Sequence, residues 1–67
     1  MTFEISKDHI ELNKLLKIIN WVESGGEAGL VIAEGLVVVN GEVDTRKRKK
    51  CRKGDVIEFE DQKVTII

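Results

Sequence analysis

The chain has 67 residues, of which 42% are hydrophobic and 34% charged, and its formal net charge is −1. A chain this short forms one domain at most and buries only about 60% of the surface that its unfolded form exposes, which leaves little room for an enclosed active site. The single cysteine excludes a disulfide framework, and the short apolar runs exclude a membrane span. Because the first ten residues also lack the apolar segment of a signal peptide, we expect one cytoplasmic domain over residues 1–67 that is not an enzyme.

Apolar residues in the first third of the chain recur at the spacing of an amphipathic helix. They are Leu12, Leu15, Leu16, Ile19 and Val22. Asp8 precedes them, and Glu11 follows Asp8 by three residues, which is the spacing of a capping box at a helix start. Asn20 tolerates the left-handed conformation that ends many helices. The pattern predicts a first helix over about residues 9–19.

A second helix is predicted soon after the first. Ser24 and Glu27 have the spacing of a capping box, and Gly35 lies where a left-handed residue would end the helix. Three apolar residues share one face of this helix: Ala28, Val31 and Ile32. The helix should therefore cover residues 25–34. Trp21 lies in the link between the helices, where we expect it to close the edge of the core rather than to stack on a ligand.

After the second helix the apolar spacing changes to that of strands. Strands are predicted at residues 36–39, 42–45, 56–59 and 64–67, with a short edge strand at residues 2–5. Asn40-Gly41 is the strongest turn signal, because both central residues of a type I′ hairpin need positive φ. Further turns are expected at Gly54-Asp55 and Asp61-Gln62. The predicted fold is α+β, with two short helices packed on one small antiparallel sheet.

Positive charge is concentrated in one segment between two predicted strands. Residues 1–45 hold three lysines and eight acidic residues, residues 46–53 hold seven basic residues and no acid, and residues 54–67 hold one lysine and four acids. The seven cations are Arg46, Lys47, Arg48, Lys49, Lys50, Arg52 and Lys53. Lysine and arginine neutralise phosphates and release counterions, whereas blunting an edge strand needs only one or two lysines. The segment is therefore predicted to form a basic ridge that contacts nucleic acid.

Other residues that could carry chemistry give weaker signals. Gly25 and Gly29 lie one turn apart on the second helix, which fits either close packing of that helix or a bare backbone that attracts phosphate. His9 and Cys51 lack the neighbours of a catalytic pair, and no set of four metal ligands is present. We expect Cys51 to be a small buried hydrophobe, and we expect no cofactor.

Several motifs taken together resemble the αL RNA-binding domain, the domain named after the fourth protein of the small ribosomal subunit. These motifs are Leu12-Asn13-Lys14-Leu15-Leu16, Ser24-x-x-x-Ala28, Ile32-x-x-Gly35, Val37-x-Val39-Asn40-Gly41 and Gly54-Asp55-x-Ile57, and they span residues 10–60. A further set resembles the small stand-alone bacterial proteins of the YbcJ type: Trp21-x-Glu23-Ser24-Gly25, Ile32-Ala33-Glu34-Gly35 and Thr45-Arg46-Lys47-Arg48. The resemblance implies two helices on a small antiparallel sheet, with structured RNA, such as ribosomal or transfer RNA, as the ligand. We expect the domain to be a monomer.

The helices depart from the usual pattern of that family. Glu11 stands where the family has a basic residue before the first helix leucine, and Gly25 stands where it has arginine after the serine. The second helix carries no basic residue at all. These departures move the predicted RNA site to the ridge, with Lys14 and Lys17 of the first helix as support.

Two alternatives remain for the function. The chain could be a protein–protein module that docks on acidic partners through the same ridge, and binding to RNA without any protein present would discriminate between the two. A sulfur-carrier or ubiquitin-like domain also contains Asn-Gly and Gly-Asp turns. Such carriers activate a C-terminal Gly-Gly, whereas this sequence ends in Ile66-Ile67.

Overall fold

Two helices and seven short strands make up the fold in the computed structural model, which describes residues 1–67. The elements in chain order are β1 (Thr2–Phe3), β2 (Ile10–Glu11), α1 (Leu12–Ile18), α2 (Gly25–Ala33), β3 (Val37–Val39), β4 (Glu42–Val43), β5 (Lys50–Cys51), β6 (Val56–Phe59) and β7 (Gln62–Ile66). One sheet has the strand order β1-β7-β6-β3-β4, and β2 and β5 form a separate pair. The predicted α+β fold of two short helices and a small sheet is confirmed. The sheet is antiparallel except at its edge, where β1 runs parallel to β7.

Helix α1 begins later than its predicted capping box. Residues 10 and 11 pair with β5 in an antiparallel arrangement, so the helix cannot extend back through them. Its N-cap is Glu11, which has extended backbone angles and makes no side-chain cap hydrogen bond. The predicted cap by Asp8 is therefore wrong. A pairing with a strand about 40 residues away has overridden a local helix-start signal.

The other helix boundaries follow the local signals in the sequence. Asn20 and Gly35 have φ of 63° and 79°, so each helix ends at a left-handed residue. The amide after each of them donates back into the last helical turn. At the start of α2 the Ser24 side chain accepts from the Glu27 amide at 3.1 Å. The Glu27 carboxylate accepts from the amide of Glu23 at 2.9 Å rather than from that of the cap residue, so the box is shifted by one position.

The predicted hairpin at Asn40-Gly41 is confirmed. Both residues have positive φ, 52° and 86°, as a type I′ turn requires. The Asn40 side chain also joins this turn to β6, because its Nδ2 donates to Asp55 Oδ1 at 3.0 Å and its Oδ1 accepts from the Val56 amide at 2.9 Å. One side chain therefore fixes both a turn and the strand beside it.

The last hairpin turns one residue earlier than predicted. Phe59 pairs with Gln62, which leaves Glu60 and Asp61 as the turn residues, and Glu60 has a φ of 57°. Nothing about Glu60 announces a left-handed conformation, because glutamate rarely adopts it. The register of the β6–β7 pair therefore places the turn there, with the apolar residues of both strands facing the core.

The core lies between the helices and the sheet and consists of fifteen apolar side chains. Trp21 is 9% exposed and closes one edge of this core, as predicted, with its ring tilted against that of Phe59 at a centroid distance of 6.5 Å. Cys51 is fully buried and belongs to the same cluster. Neither helix is long and apolar enough to cross a membrane.

Substitutions of Asn40 separate its two roles in the hairpin. Asn40→Gly removes the side-chain hydrogen bonds but leaves a residue that adopts positive φ without strain, and should lower the free energy of unfolding by about 1 kcal/mol. Asn40→Ala keeps a Cβ in the left-handed region but loses the polar side chain that lets asparagine tolerate it, and should lower the free energy of unfolding by about 2 kcal/mol in total. Urea unfolding followed by Trp21 fluorescence measures both. Equal losses in the two variants would show that the backbone conformation contributes nothing.

Candidate nucleic-acid interface

The basic ridge, defined as residues 46–53, is held in place by its own backbone. The first two amides of α1 donate to it: Leu12 N to Lys49 O at 2.9 Å and Asn13 N to Lys47 O at 3.0 Å. Strand β5, which lies within the ridge, pairs with β2. The carbonyl groups of the ridge thus replace a side-chain cap for α1. The segment is a fixed feature of the fold rather than a freely solvated loop.

The two arginines toward the ends of the ridge face acidic side chains. Arg46 makes a bidentate contact with Asp44, with Nη2 at 2.7 Å from Oδ2 and Nε at 3.0 Å from Oδ1. The hydrogen bond from Arg46 is the main cause that lowers the pKa of Asp44 and raises that of Arg46. Arg52 has Nε 3.7 Å from Asp8 Oδ2, with both side chains exposed. The charge of Arg46 is therefore largely compensated, and that of Arg52 only weakly.

The remaining cations of the ridge form no ion pair. They are Lys47, Arg48, Lys49, Lys50 and Lys53. A shallow open concavity at the ridge is lined by five side chains, all of them cationic: Arg46, Arg48, Lys49, Lys50 and Arg52. Like charges this close repel one another unless an anion lies between them. The concavity has the chemistry of a phosphate site.

Lys47 points away from this concavity. Its side chain extends to α2 and lies against Gly29, where an ideal Cβ would be 3.2 Å from Lys47 Cε and 3.3 Å from its Cδ. Gly29 is buried, and the side chain that packs against it is that of a ridge lysine rather than a residue of α1 or of the main sheet. Gly25 has open space beside its Cα.

The lysines predicted to support the ridge from α1 do not line the concavity. Lys14 has its ammonium 3.5 Å from Glu11 Oε1 and lines a different cleft, formed mainly by residues 3–11. Lys17 is exposed in the last turn of α1 and makes no ion pair. The structure therefore brings together five of the nine predicted RNA-binding residues in one concavity and leaves Lys14, Lys17, Lys47 and Lys53 outside it.

Cys51 and His9 have no polar cluster around them. The Cys51 thiol is buried as predicted, with Sγ 3.7 Å from Lys49 O, and burial together with the negative charge of Asp55 raises its pKa to about 11. His9 Nδ1 has no hydrogen-bond partner, and the nearest carboxylate, that of Asp8, lies at 3.8 Å. No group of three or more histidine, cysteine or acidic side chains is placed to hold a metal ion.

Asp55 links the ridge to the Asn40 hairpin. Burial alone would raise its pKa, but hydrogen bonds from the Arg52 amide and the Asn40 side chain, with the nearby charges of Lys49 and Arg52, together lower it. The amide of Arg52 donates to Asp55 Oδ2 at 2.9 Å. The C-terminal end of the ridge is thereby tied to the main sheet, as its N-terminal end is tied by the contact between Asp44 and Arg46.

The sequence of this fold matches a family of small domains. The family model of the S4 domain matches residues 3–67, and the chain belongs to this family. It is 45% identical over 67 residues to YbcJ of Escherichia coli, which is named as a candidate RNA-binding protein, with 98% of this chain and 96% of that protein covered. It is 39% identical over 56 residues to the candidate ribosome maturation protein RlbA of Bacillus subtilis, with 84% and 79% covered.

A solved structure supports the same relationship. The solution structure of YbcJ from Escherichia coli, described as revealing an αL motif involved in RNA binding, matches with a TM-score of 0.75 at 45% identity. The match covers 98% of this chain and 85% of the YbcJ chain. The resemblance to the αL domain and to YbcJ-like proteins that the sequence indicated is therefore confirmed.

Cys51 should be chemically inert in the folded protein. With a pKa of about 11, only about one thiol in a thousand is ionised at pH 8, and the sulfur is also shielded from reagent. Alkylation should therefore be slow in buffer and fast in urea, and Cys51→Ala or Cys51→Val should bind RNA as the wild type does. Mass spectrometry against time measures the rate. Fast alkylation that abolishes binding would assign Cys51 to the interface.

Asp44 should make stability depend on pH. A carboxyl whose pKa is lowered by folding stabilises the folded state above its ordinary pKa of 3.8, and this contribution is lost as the pH falls through the lowered value. The free energy of unfolding should therefore fall below about pH 4, and it should fall less in Asp44→Asn. Asp61→Asn, which removes an exposed carboxyl outside any ion pair, is the control. Identical pH profiles for Asp44→Asn and the wild type would contradict this assignment.

Proposed function

We propose that this chain is a non-catalytic domain that binds structured RNA as a monomer, through phosphate contacts of the basic ridge. The observation that carries the proposal is the concavity lined by five cationic side chains and no acidic one. Membership of the S4 domain family and the similarity to YbcJ support it. Ribosomal or transfer RNA in the cytoplasm is the expected ligand class, in keeping with a relative named for ribosome maturation.

The ridge is preorganised for binding. Its backbone is fixed by hydrogen bonds to α1 and by pairing with β2, so little conformational entropy remains to be lost when RNA binds. The clustered cations repel one another in the free protein. RNA phosphates relieve that repulsion and release their counterions, and both effects favour the complex.

The lack of exposed aromatic rings favours structured RNA over single strands. Single-strand binders stack bases on exposed aromatic side chains. Here Trp21 and Phe59 are buried in the core and Phe3 is half-buried, so the surface offers no stacking platform. A domain that contacts phosphates without stacking recognises the shape of a folded RNA.

Removing a cation that forms no ion pair should weaken RNA binding more than removing one that is already paired. Arg48→Ala, Lys50→Ala and Lys53→Ala should each lower affinity, and Arg46→Ala should lower it less because Asp44 already compensates that charge. If about 4–6 cations contact phosphate, log K against log[salt] should have a slope of about −3 to −4 in the wild type, and each free cation removed should make it shallower by about 0.7 to 0.9. Lys63→Ala, which removes an exposed lysine on β7, is the matched control.

One titration tests the proposal against its alternative. A labelled, folded RNA is titrated with the wild type, with the triple variant of Arg48, Lys50 and Lys53, and with Lys63→Ala, at two salt concentrations and with no other protein present. A triple variant with wild-type affinity and slope would remove the ridge from the interface. If the wild type binds polyglutamate but does not bind RNA, the proposal is overturned in favour of a protein–protein module that docks on acidic partners.

A further inference from the structure

Helix α2 has no cation of its own. Its nine residues include no lysine or arginine, and its one charged side chain is that of Glu27. The ridge nevertheless supplies a cation to this helix, because the Lys47 side chain leaves the ridge and ends against α2. The positively charged surface therefore extends from the ridge onto helix α2.

Lys47 is held by a hydrogen bond at its backbone and by packing of its side chain against α2. Its carbonyl accepts from the Asn13 amide of α1 at 3.0 Å, so its backbone is anchored beside the start of that helix. From there the side chain crosses to α2, where an ideal Cβ on Gly29 would lie 3.2 Å from Cε, 3.3 Å from Cδ and 3.5 Å from Nζ. Carbon atoms in contact are normally about 3.5–4.0 Å apart, so a Cβ at this position would push the end of the lysine back slightly, and a larger side chain would displace it.

The ammonium of Lys47 is free to meet a ligand. It makes no ion pair in the chain, and Lys47 as a whole is exposed. Gly25 lies four residues before Gly29, on the same side of α2, and has open space beside its Cα. An approaching phosphate would therefore meet open backbone at Gly25 and the Lys47 ammonium about one turn further along the helix.

We propose that Gly29 is a positioning residue of the RNA interface, which acts by seating Lys47 across α2. The absence of a side chain at position 29 gives α2 the cation that its own sequence lacks. The ridge and the glycine-bearing face of α2 then form one continuous RNA-binding surface. This inference rests on the proposed RNA-binding function and specifies its extent.

The position of the Lys47 ammonium is tested by moving its charge from the ridge to position 29 of α2. Lys47→Ala should weaken binding about three- to tenfold and make the salt slope shallower by about 0.7 to 0.9, the share of one phosphate contact. Adding Gly29→Lys to Lys47→Ala should restore both affinity and slope. Leu30→Lys with Lys47→Ala is the matched control, because it has the same net charge but places the lysine at an exposed neighbouring position of α2. That control should stay weak.

A second cycle keeps the proposal testable if the transplanted variant folds poorly. Gly29→Leu should displace Lys47 and weaken binding in the wild type, yet have no further effect in a Lys47→Ala background, because Gly29 acts only through Lys47. Thermal unfolding of each variant reports whether the fold is intact. Additive losses in this cycle, or equal recovery from Gly29→Lys and Leu30→Lys, would overturn the role of Gly29 and leave RNA binding by the ridge intact. Failure of the wild type to bind RNA would overturn both proposals.

Discussion

Two main-chain hydrogen bonds, from the first amides of α1 to the carbonyls of Lys47 and Lys49, are the constraint on which the rest of the structure depends. They cap a helix that has no side-chain cap, and they fix the most basic segment of the chain against the fold. The arrangement is electrostatically costly, because the N-terminal end of a helix carries partial positive charge and the ridge adds cations beside it. The carbonyl oxygens offset part of this cost. A bound phosphate would offset more of this cost. The same electrostatic repulsion at the start of α1 is therefore reduced both by folding and by binding.

The features of the fold that could be predicted are those determined by neighbouring residues. Asn20, Gly35 and the Asn40-Gly41 pair adopt left-handed conformations that few other residue types tolerate, and each marks a boundary where the sequence indicates one. The start of α1 could not be predicted in this way, because it is set by the pairing of β2 with β5 about 40 residues later. The turn at Glu60 likewise follows from strand register. Local patterns carry no information about partners that are distant along the chain.

The candidate site likewise has features that the sequence predicts and features that depend on distant parts of the chain. The cations themselves could be read from the sequence, since lysine and arginine remain at the surface wherever the chain folds. Their directions could not, because the fold decides which neighbours they meet. Arg46 turns to Asp44 two residues before it, and Lys14 turns to Glu11, the N-cap of its own helix. Lys47 reaches Gly29, for which the only signal was a glycine inside a predicted helix. That glycine fitted either close packing or a bare backbone that attracts phosphate, and the structure shows it packed against the Lys47 side chain.

The alternation of side chains along β5 limits how the ridge can vary. Cys51 is fully buried while Lys50 beside it is exposed, so a shift of one residue would drive a lysine toward the core and bring the cysteine to the surface. Surface loops usually accept insertions and deletions readily. This one has its length fixed at both ends, by the caps on α1 and by the buried thiol. Individual cations of the ridge can be replaced at little cost to the fold. The number of residues between them cannot change, because the packing of the core depends on it.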